Sequence, residues 1–273
     1  MIERVGPYAI EEIADGVFAI DDDADESIYL VCGSERAFVI DTGSADAALS
    51  PVIRSLWAGE AELLLTHAHF DHMYHSDEFS SVSLLDEEKR AWRRTLAPIV
   101  FLSSVGGGKK AKRYPVGSWR ALRDGESLPL GDRSLRVIAA PGHTPGSLIL
   151  ADDERRLLFT GDAFGSGSYA WMWMPGCLSL GEYRDSLREL IRRLEPCRDY
   201  RMLGGHRRQG MLPNADPHAK PLRYETLLDM EKLCGAILRG ELAPESEERN
   251  FGVKCFLYRL GDAAIVLTKG KIK

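Results

Sequence analysis

Ala61-Glu-Leu-Leu-Leu-Thr66-His67-Ala-His69-Phe-Asp71-His72 is the stretch that decides the fold and the chemistry of this chain. Its first half is a short apolar run, consistent with a buried strand, and it delivers four potential metal ligands within six residues. Side chains alternate along an extended segment, so His67 and His69 point the same way and can share one ion. The turn that follows can carry Asp71 and His72 to a second ion, since paired ions in two-metal sites sit roughly 3.5–4 Å apart.

Three later segments repeat the arrangement. Strand candidates at Ser134–Ala139, 156–160 and 199–203 run into Pro141-Gly-His143-Thr-Pro-Gly146, Gly161-Asp162 and Gly204-Gly-His206. Each ligand has glycine beside it, which permits the tight turns that converging loops need. Ligands gathered beyond the carboxyl ends of strands follow the general rule for open α/β sheets. Imidazole and carboxylate donors without thiolates suit zinc, with manganese or iron as alternatives. The expected arrangement is His67, His69 and His143 on one ion with a position left for water, Asp71, His72 and His206 on the other, and Asp162 between them. Water on such an ion has its pKa lowered to ~7, which supplies hydroxide for hydrolysis at neutral pH.

His75 and His218 fall outside this pattern and read as surface residues or as supports for a ligand. Asp41, in Val39-Ile-Asp41-Thr-Gly43, either caps the turn or accepts a hydrogen bond from a ligand histidine, because metal-bound imidazoles usually donate their other N–H. Tyr169-Ala-Trp171-Met-Trp173 follows Asp162 through Gly165-Ser-Gly167. Tyr169, Trp171 and Trp173 are candidates for core, for a subunit contact in a homo-oligomer, or for the apolar wall of a substrate pocket. The basic run Lys109-Lys-Ala-Lys-Arg113 reads as a solvated loop or as a lid that attracts an anionic substrate. It is too short and too poor in aromatics to argue for nucleic acid.

The remaining elements frame the site. Val17–Asp21, Ser27–Cys32 and Ala37–Ile40 read as an antiparallel meander. Helices are expected at 46–56, at 86–96, and at 179–195, where Ser179 and Glu182 form a capping box ahead of an apolar stripe that Pro196 stops. A further helix at 221–239 ends at Gly240, and a hairpin at 253–259 and 263–268 turns on Gly261-Asp262. No repeat or linker forces a boundary, so one domain over 1–273 is expected, with the C-terminal helix and hairpin (about 219–270) as part of it.

At 273 residues, 44% hydrophobic and 28% charged, the composition is that of a globular chain. A formal charge of -6 gives no general attraction to nucleic acid or anionic membranes, which leaves a small-molecule substrate as the expected partner. Neither a signal-type leader nor an apolar run of ~18–20 residues stands out, and the expected location is cytoplasmic. The five cysteines are odd in number and contain no C-x-x-C pair, which suits free thiols.

His-x-His-x-Asp-His followed by Gly-His, Gly-Asp and a further Gly-His closely resembles the metallo-β-lactamase superfamily, in the order of all seven ligands. The resemblance implies an α/β (α+β) fold, a four-layer αβ/βα sandwich of two mixed β-sheets flanked by helices. It also implies that Asp162 bridges two ions, as in glyoxalase II-type thioesterases, lactonases and phosphodiesterases. The expected activity is a dinuclear metal-dependent hydrolase in which hydroxide, oriented by Asp71, attacks an ester, lactone or thioester carbonyl. A phosphodiesterase and an iron-dependent sulfur or oxygen redox enzyme are the alternatives. Met73-Tyr-His75 departs from the glycines many members carry after the motif. Tyr169 lies seven residues beyond Asp162, too far to match the lactonases' tyrosine.

Overall fold

A computed structural model describes residues 2–106, 108–110, 112–165, 169–206 and 221–273. The first sheet takes its strands in chain order: β1 Glu3–Val5, β2 Tyr8–Ala14, β3 Val17–Asp21, β4 Ser27–Cys32, β5 Ala37–Ile40, β6 Ala61–Leu64, β7 Val82–Leu85 and β8 Arg120–Leu122. β1 to β5 pair antiparallel and β5 to β8 parallel, so the sheet is mixed. The meander is present as expected, but β1 and β2 extend it. The second sheet is built from β9 Ser127–Pro129, β10 Ser134–Ala139, β11 Leu148–Asp152, β12 Leu157–Gly161 and β14 Arg201–Gly204, with only β12 and β14 parallel.

The two sheets pack face to face through alternate residues. Tyr29, Val31, Phe38 and Leu64 meet Val137, Leu150, Phe159 and Leu203 in one buried layer. Because side chains alternate, the opposite faces carry a second apolar set that helices cover. Ile20, Leu30, Val39 and Leu63 lie under α1 Ser50–Leu56 and the helical segments that follow β6 and β7. Ile138, Ile149, Leu158 and Met202 lie under α5 Leu180–Leu194 and α6 Tyr224–Leu238. The result is the four-layer αβ/βα sandwich that the resemblance implied. On α5 the capping box forms as expected, and Leu180, Tyr183, Leu187, Leu190 and Leu194 are its buried stripe. Each such leucine contributes about 1.5–3 kcal/mol by leaving water.

Helix boundaries differ from expectation in two places. The first helix starts at Ser50 rather than 46, because Pro51 occupies its first turn and the Asp22 carboxylate holds the Ala45 N–H in a loop. Beyond α2 Phe70–Met73 and α3 Asp86–Ala91, the chain does not stop at 96. A π-type turn at Trp92–Leu96 carries it into α4 Ala97–Gly106. A third sheet is also present. The C-terminal hairpin, β16 Val253–Leu260 and β17 Ala263–Leu267, takes β15 Ser246–Asn250 on one side and β13 Ala170–Trp171 on the other.

The sheets are stitched where the ligand loops emerge. Leu148 N–H donates to the Thr66 carbonyl (2.9 Å), and Ser27 N–H to that of Gly205 (2.8 Å). None of the five cysteines forms a disulfide, and four are buried. Among the described residues no helix is long and apolar enough to cross a membrane.

Candidate metal centre

All seven sequence-predicted ligands meet at the rim where β6, β10, β12 and β14 end. His67 and His69 extend from β6, and α2 then turns Asp71 and His72 back toward them. His143, Asp162 and His206 arrive from the ends of the other three strands. The donors fall into three overlapping sets whose atoms lie within 4.8 Å of one another: His67, His69 and His143; His67, His72 and Asp162; and Asp71, His72 and His206. His69 Nδ1 lies 2.9 Å from His143 Nε2, and His72 Nε2 lies 3.3 Å from His206 Nε2. The Asp162 carboxylate faces both halves, 3.6 Å from His143 Nε2, 3.7 Å from His72 Nε2 and 3.3 Å from His206 Nε2. Asp71 Oδ2 is 3.4 Å from His206 Nε2, and its side chain is the most open to solvent of the seven, with His206 next.

This cluster fits metal ions. His67 Nε2 and His69 Nε2 are buried without a hydrogen-bond partner among the described residues, and five imidazoles converge with no ligand cysteine. Buried polar atoms left in this state are costly unless something binds them.

The electrostatics divide the site. Burial pushes His67 well below the ordinary histidine range, takes His69 down to about 3 and lowers His143. All three are neutral, the form that ligates. Burial also pulls on His72 and His206, but the carboxylates of Asp162 and Asp71, with Asp41 acting on His72, outweigh it and raise both. Burial likewise opposes ionisation of Asp71 and Asp162, and the neighbouring imidazoles still hold both carboxyls below their usual range. Without ions the second half is therefore a compact ion-pair network, and metal entering there displaces protons.

Supporting residues fix the rings. His72 Nδ1 donates to Asp41 Oδ2 (2.8 Å), and Asp41 also accepts from the Thr66 N–H (2.8 Å) and hydroxyl (2.7 Å). Of the two roles open to Asp41, the structure shows the contact with a ligand. It does so in a left-handed backbone conformation, φ 60°, which few residues other than glycine, asparagine and aspartate adopt. His143 Nδ1 donates to the Trp171 carbonyl (2.8 Å), which leaves Nε2 free for an ion. Gly205 is required by space, because a Cβ there would lie 2.6 Å from His72 Cε1 and 2.7 Å from Asp162 Oδ1.

Glu88 was missed by sequence reasoning. It sits with Asp86 and Glu87 in the first turn of α3, where acids are ordinarily read as partners of the helix dipole. Its side chain is wholly buried and accepts from the N–H of Ala68 (2.7 Å), between the first two histidines, and of Gly146 (2.8 Å), three residues past His143. One carboxyl thus ties both loops of the three-histidine half together. Burial pushes it up to about 7 against these donors.

Other expectations resolve as follows. His75 is buried rather than on the surface, with Nδ1 against Glu78 (2.6 Å) and Nε2 against the Ala45 carbonyl (3.0 Å). It has no nitrogen left for an ion. His218 lies outside the described residues, as do Ser166 and Gly167 of the glycine-flanked link. In the basic run, Lys109 pairs with Asp46 and Lys112 with Asp77, which neutralises half of the anion attraction expected there. Tyr169, Trp171 and Trp173 form a row with ring centroids 6.0 and 5.9 Å apart, and the carbonyl of its middle member, Trp171, holds His143.

The profile of the metallo-beta-lactamase superfamily matches residues 22–206, and the chain belongs to that superfamily. It is a metal-dependent hydrolase by fold, family and donor set. Among relatives, the human acyl-coenzyme A thioesterase MBLAC2 is 32% identical over 231 residues, covering 73% of this chain and 81% of its own. A hydroxyacylglutathione hydrolase of Rhodospirillum rubrum is 29% identical over 169 residues, 61% of this chain and 57% of its own. Among solved structures, TTHA1623 in a di-iron-bound form superposes with a TM-score of 0.53 at 25% identity, covering 67% of this chain and 88% of its own.

Proposed function

We propose that this enzyme hydrolyses thioesters at a pair of divalent ions, zinc by preference. His67, His69 and His143 hold one ion, Asp71, His72 and His206 the other, and Asp162 faces both. The observation that carries the proposal is the convergence of these donors into a neutral half and a carboxylate-rich half on either side of Asp162. Two relatives point to the leaving group, since both are named for acyl groups carried on a thiol, coenzyme A or glutathione.

Bound ions at such a site supply Lewis acidity and lower the pKa of water. The chain's own residues do the rest. Asp71, kept anionic by His72 and His206 and open on one side, accepts a hydrogen bond from the attacking water and orients it toward the carbonyl. Asp41 and the Trp171 carbonyl hold His72 and His143 in the tautomer that presents Nε2. Tyr169, Trp171 and Trp173, stacked in a row on Leu257, Ala264 and Val266 beside the loop that carries His143, are the residues to which we assign the apolar side of the substrate site. In the net reaction the C–S bond breaks, a C–O bond to the water oxygen forms, and carboxylate and thiol leave.

The test is Asp162→Ala. Losing one oxyanion-stabilising interaction costs ~10²–10³ in rate, and disrupting both halves at once should cost more. The variant is expected to bind about one ion per chain, against two in the wild type, by elemental analysis, with thioester turnover falling at least about 1,000-fold. Full turnover by the variant, or by wild type stripped with chelator, would overturn the proposal. Iron in the purified protein together with oxygen uptake would favour the redox alternative.

A further inference from the structure

Two of the three neutral histidines leave the end of β6 and the third leaves the end of β10, so their donors meet only if the two loops keep a fixed separation. One tie lies at the base of the loops, where the Leu148 N–H donates to the Thr66 carbonyl (2.9 Å). Farther out the loops meet at Glu88. Its Oε1 accepts from the Ala68 N–H (2.7 Å) and its Oε2 from the Gly146 N–H (2.8 Å), and Thr144, next to His143, hydrogen-bonds the same carboxyl. Gly146 also rests directly on α3, where a Cβ would lie 2.3 Å from Glu88 N and 2.7 Å from its Cα. A carboxylate offers two acceptor oxygens on one planar group, so a single side chain can take an amide from each loop.

His69 depends most on this support. Its Nδ1 is the nitrogen turned to His143 Nε2 (2.9 Å), and its Nε2 is buried without a hydrogen-bond partner among the described residues. The other two rings are steadied through their far nitrogens, His143 by the Trp171 carbonyl and His67 by the Thr66 hydroxyl, 3.1 Å from Nδ1. Fewer bonds separate Nδ1 from the main chain than separate Nε2, so the place of the His69 donor is set chiefly by the backbone that carries it. That backbone is what Glu88 grips through Ala68.

Resting on the metal-centre reading above, we infer that Glu88 is a positioning residue of the three-histidine half. By holding the amide between His67 and His69 and the amide that closes the His143 loop, it sets the spacing of three donors without itself being a ligand. Asp41 orients a ring in the other half, whereas Glu88 acts through the main chain, so each half has its own supporting carboxyl. The competing account is that Glu88, like Asp86 and Glu87 in the same turn, only complements the dipole of α3.

Full-length Glu88→Gln keeps the shape of the side chain, removes one acceptor and sets an amide donor against one loop N–H. Zinc is titrated into the metal-free protein in competition with a fluorescent chelator, and the steps are assigned with His69→Ala, which should remove the three-histidine step. Glu88→Gln is expected to weaken that step about 10–100-fold and to change the carboxylate-rich step less than about threefold. Glu87→Gln removes the same charge from the same turn at an exposed position and should change neither step. Equal weakening of both steps by Glu88→Gln would mark a general structural lesion, and no weakening, with the wild-type circular dichroism retained, would leave Glu88 without this role. Either result overturns the inference, while two steps in the wild type keep the metal-centre reading. Loss of the three-histidine step in Glu87→Gln as well would return Glu88 to the helix dipole. A wild type with no step that His69→Ala removes would overturn the reading and the inference together. If Glu88→Gln does not fold, Glu88→Asp, which keeps the charge but is one methylene too short to reach both amides, carries the same test with the same expected split.

Discussion

Asp41→Asn separates the two halves of the metal centre. Asparagine is nearly isosteric and tolerates the positive φ of position 41, so backbone strain does not enter. What changes is one oxygen. Asp41 accepts three hydrogen bonds, two on Oδ2 from His72 Nδ1 and the Thr66 hydroxyl and one on Oδ1 from the Thr66 N–H. An amide keeps one acceptor and turns the other into a donor. If the amide nitrogen faces Thr66 N–H, two donors collide. If it faces His72, Nδ1 must give up its proton and the ring shifts to the tautomer protonated on Nε2, the atom aimed at Asp71, Asp162 and His206. Either way a charge-assisted hydrogen bond worth about 1.5–3 kcal/mol is lost from the orientation of one ligand. Metal affinity at the carboxylate-rich half should fall about 10–100-fold, while the three-histidine half changes less than about threefold. Competition with a fluorescent zinc chelator, resolved into two steps, measures both. Equal weakening of the two sites, or no weakening of either, would refute the reading that Asp41 acts chiefly through His72 rather than through the Thr66 hydroxyl, which lies 3.1 Å from His67 Nδ1.

Two further outcomes follow from the packing. Gly205→Ala puts a methyl 2.6 Å from His72 Cε1 and 2.7 Å from Asp162 Oδ1; displacing these ligands by a fraction of an ångström should cost about 100-fold in turnover with the melting temperature nearly unchanged. Wild-type activity in that variant would show that the loop can relax. Glu88→Gln tests the buried carboxyl: its folded pKa is raised from the usual 4.5 to about 7, so the folded state holds a proton that the unfolded state has released between those values. The stabilisation is full below pH 4.5 and is lost as pH rises through 7. Wild type should therefore lose on the order of 3 kcal/mol relative to Glu88→Gln across that window in urea unfolding, and a wild type that instead gains on the variant as pH rises would mean the carboxyl is ionised in the fold.

The site was legible because its ligands obey local rules. His67 and His69 share a face by strand alternation, and glycines mark the turns that carry His143, Asp162 and His206. The capping box of α5 and the Gly261-Asp262 hairpin were readable for the same reason. Glu88 was not, because its bonds reach loops 20 and 58 residues away, and nothing local distinguishes it from Glu87. α4 escaped because it is apolar on nearly every side, so no helical period marks it, and it begins across a π turn. The third sheet was half visible. The hairpin could be read, but its pairing with two residues at Ala170–Trp171 is set by tertiary contact alone.

That last pairing has a consequence for how the enzyme can diversify. The superfamily profile ends at His206, the last metal ligand, yet β17 lies beyond it and holds Trp171 in register through Val266. The ligand loops and the strand that fixes Trp171 are thus written in separate stretches of chain, joined at one backbone carbonyl. Mutation in the tail can therefore shift the strand beside His143 without replacing any of the seven donors.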